Sequence, residues 1–219
     1  MSRRIASLVA LAALLTAPSC KREESSQTAS TMGSAHRDGG CHCRRDASAT
    51  PAARPLADTS VYALDIAWRD QDDRPFSLAS LNGSATVALM FYGTCQSACP
   101  ILVRDVLRVE AALSAETRAH TRFVLVTFDP ETDTPERLRA LAAERHLDLS
   151  RWTLLRASPD DVRTFATVLG VQFSRVGPSE FTHSNVITLL DKRGEVSAQL
   201  EGLQQPVDDF AQHIEEAAR

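Results

Sequence analysis

The sequence predicts an α/β fold with a central mixed β-sheet and helices on both of its faces. Of its 219 residues, 43% are hydrophobic and 24% are charged, which is typical of a soluble globular chain. Two strand-length runs, Ala85–Tyr92 and Arg122–Phe128, have the hydrophobicity of strands that are covered on both faces. Thr134-Pro135-Glu136 and Ser158-Pro159-Asp160 each combine a capping hydroxyl, a first-turn proline and an acid, and this pattern predicts a helix start.

The elements are predicted to follow in the order β-α-β-α-β-α-β-β-α. A βαβ half followed by a ββα half is the thioredoxin layout. Asp191-Lys192-Arg193-Gly194 predicts a hairpin turn, and Tyr62–Trp68 with Pro75–Leu78 predicts an N-terminal hairpin extension. The expected strands are Ala85–Tyr92, Arg122–Phe128, Thr153–Arg156, Asn185–Leu190 and Glu195–Leu200, and the expected helices run from Pro100 to Leu113, Thr134 to His146, Ser158 to Gly170 and Pro206 to Ala218.

The first 19 residues have the pattern of a secretory signal peptide. Arg3-Arg4 precedes the apolar stretch Ile5–Leu15, and small residues follow it. Cys20 stands where a bacterial lipoprotein carries its lipid, whereas Ala17 and Ser19 also satisfy an ordinary cleavage site, so both outcomes stay open. Either way we expect the mature chain in the cell envelope, on the periplasmic side, where disulfides persist.

Residues 20–58 are expected to form a disordered tether, and residues 59–219 the folded domain. From Lys21 the chain has no Leu, Ile, Val or aromatic residue until Leu56, so it buries too little surface to offset the entropy of ordering. Within the tether, Cys41-His42-Cys43 could take a soft metal, form a surface disulfide, or have no role.

Charge and hydropathy argue against a nucleic-acid partner and against a membrane-spanning helix. The net charge of −4 gives no basis for a nucleic-acid groove. Apolar runs fall short of the roughly 18 residues of a spanning helix, so the membrane contact we expect is a lipid at Cys20.

The central chemistry lies in Gly93-Thr94-Cys95-Gln96-Ser97-Ala98-Cys99-Pro100. Cys95 and Cys99 lie four residues apart, at the end of a central strand and the start of a helix. Free N–H groups and the helix dipole favour thiolate there, and a thiolate is both a metal ligand and a nucleophile. The pair is therefore a candidate metal site and a candidate redox-active disulfide.

Topology supplies a third residue. The strand after the third helix runs antiparallel to the first two, so His183, just before it, should reach the Cys95–Cys99 turn. His120, His146 and His213 are interpreted as surface or capping residues.

Two thiolates and one imidazole suit Cu(I), and Cu(II) can also be held. Structural zinc would prefer a fourth ligand.

Asp129 ends the second parallel strand, where it could orient a ligand or simply form a turn before Pro130. Asp133 and Thr134 are expected to cap the next helix.

From about Trp68 to Leu203 the chain resembles the Sco/SenC family of copper chaperones. The resemblance implies a thioredoxin-like fold, copper held by Cys95, Cys99 and His183, and delivery to the binuclear copper site of a cytochrome c oxidase subunit. Many members carry Asp where this chain has Thr182, which removes a carboxylate near the site. The matching pieces are Cys95-x-x-x-Cys99-Pro100, Asp129-Pro130-x-x-Asp133-Thr134-Pro135, and His183 before Val186-Ile187-x-Leu189-Leu190-Asp191.

An enzymatic alternative uses the same thiols. A thiol–disulfide oxidoreductase would reduce a redox partner through Cys95 and Cys99, although such enzymes typically have Cys-x-x-Cys and do not need His183. A peroxidase of the peroxiredoxin type would need a Pro-x-x-x-Thr-x-x-Cys frame, which does not precede Cys95.

Overall fold

A five-stranded mixed sheet forms the centre of the computed structural model, which describes residues 56–178 and 180–219. Cys20, Cys41-His42-Cys43 and the predicted signal peptide lie outside these residues. The strands are β1 (Trp68–Arg69), β2 (Pro75–Phe76), β3 (Ala85–Phe91), β4 (Thr121–Thr127), β5 (Trp152–Leu155), β6 (Phe173–Gly177), β7 (Glu180–His183), β8 (Val186–Leu190) and β9 (Val196–Glu201). The α-helices are α1 (Ala98–Ala112), α2 (Ala115–His120), α3 (Pro135–Glu144), α4 (Pro159–Val168) and α5 (Asp208–Ala218).

The central sheet has the strand order β5-β4-β3-β8-β9. Strands β3, β4 and β5 are parallel, while β8 runs antiparallel to β3 and β9 antiparallel to β8. Every residue of β3 is buried, as expected for a strand covered on both faces. This confirms the predicted thioredoxin-like topology, and it places the ends of β3 and β4 beside the start of β8.

The predicted helix starts are also confirmed. Thr134 caps α3 by accepting a hydrogen bond from the N–H of Arg137, and Ser158 caps α4 by accepting one from the N–H of Asp161. A proline occupies the first turn in both cases, where its missing N–H costs no hydrogen bond. Helix α1 begins at Ala98, two residues before the predicted start.

The N-terminal extension differs from the prediction. Only Trp68–Arg69 pairs with Pro75–Phe76, and Tyr62 belongs to the 3₁₀ helix Val61–Ala63. The hydroxyl of Ser60 accepts from the N–H of Tyr62, and the buried Tyr62 phenol donates to Thr86 on β3 at 2.7 Å. This segment therefore covers the sheet instead of forming a long hairpin.

Helix α2 and strands β6 and β7 were not predicted from the sequence. The short helix α2 precedes β4, and β6 and β7 form a separate two-stranded sheet between α4 and β8. The β6–β7 hairpin matters for function because its last residue is His183. Within the described part of the chain, no helix combines the length and apolar character needed to cross a bilayer.

Candidate metal centre

The two cysteines occupy the turn between β3 and α1. Cys95 lies in the loop after β3, and Cys99 lies in the first turn of α1. The backbone N–H of Cys99 points at the Cys95 sulfur, with N and Sγ 3.4 Å apart. Both side chains are buried and both thiols are free. The helix start thus supplies a backbone donor to Cys95, as the sequence predicts.

His183 meets this turn from the segment just before β8, at the same edge of the sheet. Its Nε2 lies 3.6 Å from the sulfur of Cys99, although 84 positions separate the two residues. One ligand atom from each of Cys95, Cys99 and His183 lies within 4.8 Å of the others. The structure therefore brings together all three residues that the sequence predicted as ligands.

The imidazole of His183 is held in one tautomer. Its Nδ1 lies 3.0 Å from the carbonyl oxygen of Ser184, and because a carbonyl can only accept, Nδ1 carries the proton. In the neutral ring, Nε2 then keeps its lone pair on the side of Cys99. The ring is packed against Phe128, with centroids 5.2 Å apart, and against the edge of Tyr92 at 6.0 Å. These contacts hold the ring with Nε2 directed at the Cys99 sulfur.

The two thiols differ in acidity. Burial alone would raise the pKa of Cys95, but hydrogen bonds from the N–H groups of Cys99 and Ser97, the Cys99 thiol and the Tyr92 phenol together lower it to about 6. Burial raises the pKa of Cys99 instead, and a thiolate at Cys95 and the carboxylate of Asp133 raise it further. Without metal, Cys95 is therefore the thiolate at neutral pH and Cys99 the thiol.

We expect alkylation by iodoacetamide to show this difference. Because only the thiolate reacts, the rate at Cys95 should rise with pH, reach half its maximum near pH 6 and level off above it, while Cys99 stays unlabelled at pH 7. Burial raises the pKa of Tyr92 to about 12, so its hydroxyl keeps its proton and can donate to Cys95 across this range. Tyr92→Phe should move the Cys95 midpoint up by about one pH unit.

Fragment mass spectra of the labelled peptide would assign each label to Cys95 or Cys99. The exposed loop residue Gln96 offers a matched control, because Gln96→Ala should leave the Cys95 midpoint unchanged. A midpoint above pH 8 for Cys95, or labelling of Cys99 first, would contradict the assignment.

Asp133 is hydrogen-bonded to the start of the cysteine loop. Its Oδ2 accepts hydrogen bonds from the backbone N–H of Gly93, at 2.9 Å, and from the hydroxyl of Thr127. The side chain is buried, and burial together with the neighbouring Asp129 raises its pKa. The sequence placed Asp133 with Thr134 as a helix cap, but Thr134 alone caps α3, and Asp133 instead holds the start of the cysteine loop.

Asp129 occupies the turn after β4. Its backbone oxygen accepts from the N–H groups of Thr132 and Asp133, so it forms the expected turn. Its buried carboxylate pairs with Arg175 on β6, at 2.9 Å, and the hydrogen bonds of the described residues do not link it to the cysteines or His183. Asp129 therefore acts on the site through other residues, a role that the sequence did not suggest: its carboxylate binds Arg175 on the hairpin, and its backbone carbonyl binds Asp133, which in turn binds Gly93.

The other described histidines lie elsewhere. His120 ends α2, and His146 follows α3 with a φ of 55°. His213 is on α5, where its Nδ1 lies 4.0 Å from Glu216. Among the described residues, the one group suited to a metal ion is Cys95, Cys99 and His183.

This geometry agrees with comparisons to known proteins. The family model of SCO1/SenC matches residues 61–219. The chain belongs to the SCO1/SenC family. It is similar to a Stutzerimonas stutzeri protein named as a candidate copper-binding protein, with 28% identity over 145 residues, 62% of this chain and 70% of the relative.

Solved SCO1/SenC structures share the fold. A family lipoprotein from Bacillus anthracis matches with a TM-score of 0.64 and 25% identity, over 69% of this chain and 92% of that one. BsSco, described as a member of the Sco family of cytochrome c oxidase assembly proteins with a disulfide switch, matches with a TM-score of 0.62 and 25% identity, over 69% and 90% of the two chains. The thioredoxin-like class and the family predicted from the sequence are confirmed.

Proposed function

We propose that this SCO1/SenC chain binds copper through Cys95, Cys99 and His183 and delivers it to the binuclear copper site of a cytochrome c oxidase subunit. The observation that carries the proposal is the approach of two sulfur ligands and one imidazole nitrogen to within 4.8 Å of one another. The name of the Stutzerimonas stutzeri relative supports copper as the metal, and the description of BsSco supports oxidase assembly as the process.

The donor set fits Cu(I) as cargo. Thiolates are soft ligands that Cu(I) prefers, and three donors leave room for an incoming ligand from a recipient. Cys95 is already ionised at neutral pH, whereas Cys99 must release its proton on binding, so copper uptake should release protons. The same ligands can hold Cu(II). Delivery would proceed by ligand exchange, as recipient thiols replace those of Cys95 and Cys99.

The proposed location is the periplasmic side of the cell envelope. The signal peptide pattern and Cys20 support export and lipid anchoring, and the Bacillus anthracis neighbour is itself described as a lipoprotein. Residues 20–58 would then tether the domain of residues 59–219 to the membrane surface.

Transfer to a purified recipient domain tests the proposal. The Cu(I)-loaded chain would be mixed with the apo form of an oxidase domain that carries the binuclear site, the two proteins would be separated, and the copper content of each would be measured. We expect the recipient to gain copper at the expense of this chain. A chain that binds no Cu(I) when fully reduced, or that keeps its copper against the apo recipient, would contradict the proposal.

A second candidate function is thiol–disulfide exchange, favoured by the unequal acidity of the two thiols. The Cys95 thiolate would attack a partner disulfide, forming a mixed disulfide and expelling one partner thiolate. Cys99, once deprotonated, would attack the Cys95 sulfur, forming the Cys95–Cys99 disulfide and expelling the second partner thiolate. Two electrons pass from the pair to the partner.

His183→Ala separates the two functions. The variant loses one copper ligand but neither thiol, so we expect Cu(I) affinity to fall by about 10-fold or more while partner reduction continues. His213→Ala is the matched control, because it removes an exposed imidazole on α5 and should change neither activity. Competition with a chromophoric Cu(I) chelator measures the first activity, and release of partner thiols measures the second. Unchanged copper affinity in His183→Ala would show that the imidazole of His183 does not bind the metal.

A further inference from the structure

The position of His183 depends on a hairpin that stands outside the central sheet. Strands β6 and β7 pair with each other in a sheet of their own, with Phe173 opposite His183 and Arg175 opposite Phe181. Ser184 and Asn185 join His183 to β8, and side-chain contacts fix the rest of the hairpin relative to the cysteine turn.

Arg175 makes the charged contact between this hairpin and the end of β4. Its Nη2 lies 2.9 Å from Oδ1 of Asp129, whose side chain is only 1% exposed. Its Nη1 donates to the carbonyl of Pro178 at 2.7 Å, and its guanidinium carbon lies 4.6 Å from the centroid of the Phe181 ring. The guanidinium thus binds its own hairpin and the turn after β4 at once.

The turn after β4 carries a second buried carboxylate, and the two contact different halves of the site. Asp133 accepts from the backbone of Gly93 in the cysteine loop, while Asp129 pairs with Arg175 on the histidine hairpin. Backbone hydrogen bonds from Thr132 and Asp133 to the carbonyl of Asp129 stiffen the turn between them. One short segment therefore contacts both the cysteine loop and the histidine hairpin.

We infer that the Asp129–Arg175 ion pair is a positioning device that holds His183 within bonding reach of Cys99. Arg175 acts through the hairpin and touches neither sulfur. The inference rests on the proposed copper function for its effect on affinity, but its structural part concerns the chain without metal. The aromatic contact of Phe128 with Phe173, with centroids 4.6 Å apart, remains when the ion pair is lost, so the hairpin should loosen without unfolding.

Arg175→Gln is the direct test, because it removes the charge at a side chain that is 42% exposed and keeps most of its length. In the metal-free protein, we expect the imidazole NMR signals of His183 to broaden or shift towards those of a free ring. In the copper protein, we expect about 10-fold lower Cu(I) affinity, a loss no larger than that of His183→Ala. X-ray absorption should show a reduced nitrogen contribution with both sulfurs retained. Arg175→Lys, which keeps the charge, should recover part of the loss.

The matched control is Arg163→Gln. Arg163 lies on α4, is exposed, and pairs with Asp160 at 3.9 Å, so its loss should affect neither measurement. Asp129→Asn provides a second variant, and the double variant with Arg175→Gln should be no worse than the more affected single variant, because both remove the same interaction.

The outcomes separate the inference from the proposed function. Wild-type protein that binds Cu(I), with Arg175→Gln matching it in affinity, nitrogen coordination and His183 signals, would overturn the inference and leave the function standing. Wild-type protein that ignores Cu(I) would overturn the function, and the His183 signals of the metal-free variants would still decide the inference. Additive losses in the double variant would show that the two residues act separately.

Discussion

Replacing either cysteine of the candidate metal centre is expected to abolish tight Cu(I) binding. We expect Cys95→Ser and Cys99→Ser each to lower the Cu(I) association constant by more than about 100-fold, because loss of a residue that merely orients a ligand already costs about 10–100-fold. Serine nearly preserves the size of the side chain, but its neutral hydroxyl is a hard donor that Cu(I) disfavours. Competition with a chromophoric Cu(I) chelator, under reducing conditions, measures the change.

This experiment needs a parent protein without other thiols, because the chain has five cysteines. Cys20, Cys41 and Cys43 should all be serine in every sample, so that the N-terminal thiols do not bind copper. Gln96→Ala is the matched control, because it alters an exposed residue of the same loop and should stay within about twofold of the parent. A Cys99→Ser protein with native circular dichroism and the parent affinity would show that the metal is held elsewhere.

Topology explains why the three residues of the candidate metal centre could be predicted from the sequence. The apolar run of β3 fixes a central strand, and the cysteines follow its end. An antiparallel β8 must begin at that same edge, which brings His183 close whatever structure precedes it. The sequence did not reveal that His183 ends a strand of its own hairpin, because β6 alternates little and is largely exposed.

The buried carboxylates were harder to predict, since their partners lie far away in the sequence. Asp-Thr-Pro has the pattern of a helix start, and Thr134 alone accounts for it. Asp133 then binds Gly93, 40 positions earlier, and Asp129 binds Arg175, 46 positions later. Local patterns carry no information about such contacts.

The unequal acidity of the two cysteines could not be predicted from the sequence either. The helix start suggested that both thiolates would be stabilised, but the structure gives Cys95 two backbone donors, from Cys99 and Ser97, and places Cys99 deeper, where the one backbone donor from Tyr92 does not offset burial. Burial depth, which spacing does not determine, decides which sulfur ionises first.

Gly93→Ala is expected to destabilise the protein more than the addition of a methyl group at any other position near the site. A Cβ at position 93 would lie 3.2 Å from Cγ of Asp133 and closer still to its Oδ1. The carboxylate cannot simply move away, because it is buried and bonded to Thr127 and to the N–H of residue 93 itself. We expect a loss of about 1–3 kcal/mol in the free energy of unfolding, measured by urea denaturation, as for other overpacked sites. The pKa of Cys95, two residues further on, should shift as the loop moves.

Gly177→Ala is the matched control for this prediction. There the new methyl would meet Glu180, with Oε2 at 3.2 Å and Cβ at 3.3 Å, and because this end of the hairpin is exposed a shift of a few tenths of an ångström relieves the contact, so the cost should stay within about 1 kcal/mol. If the clash with the carboxylate is the cause, Asp133→Ala should cost less in the Gly93→Ala background than in the parent chain, because the shorter side chain makes room for the methyl. Equal costs of Asp133→Ala in the two backgrounds would show that Gly93 is needed for the backbone of the loop instead of for the approach of Asp133.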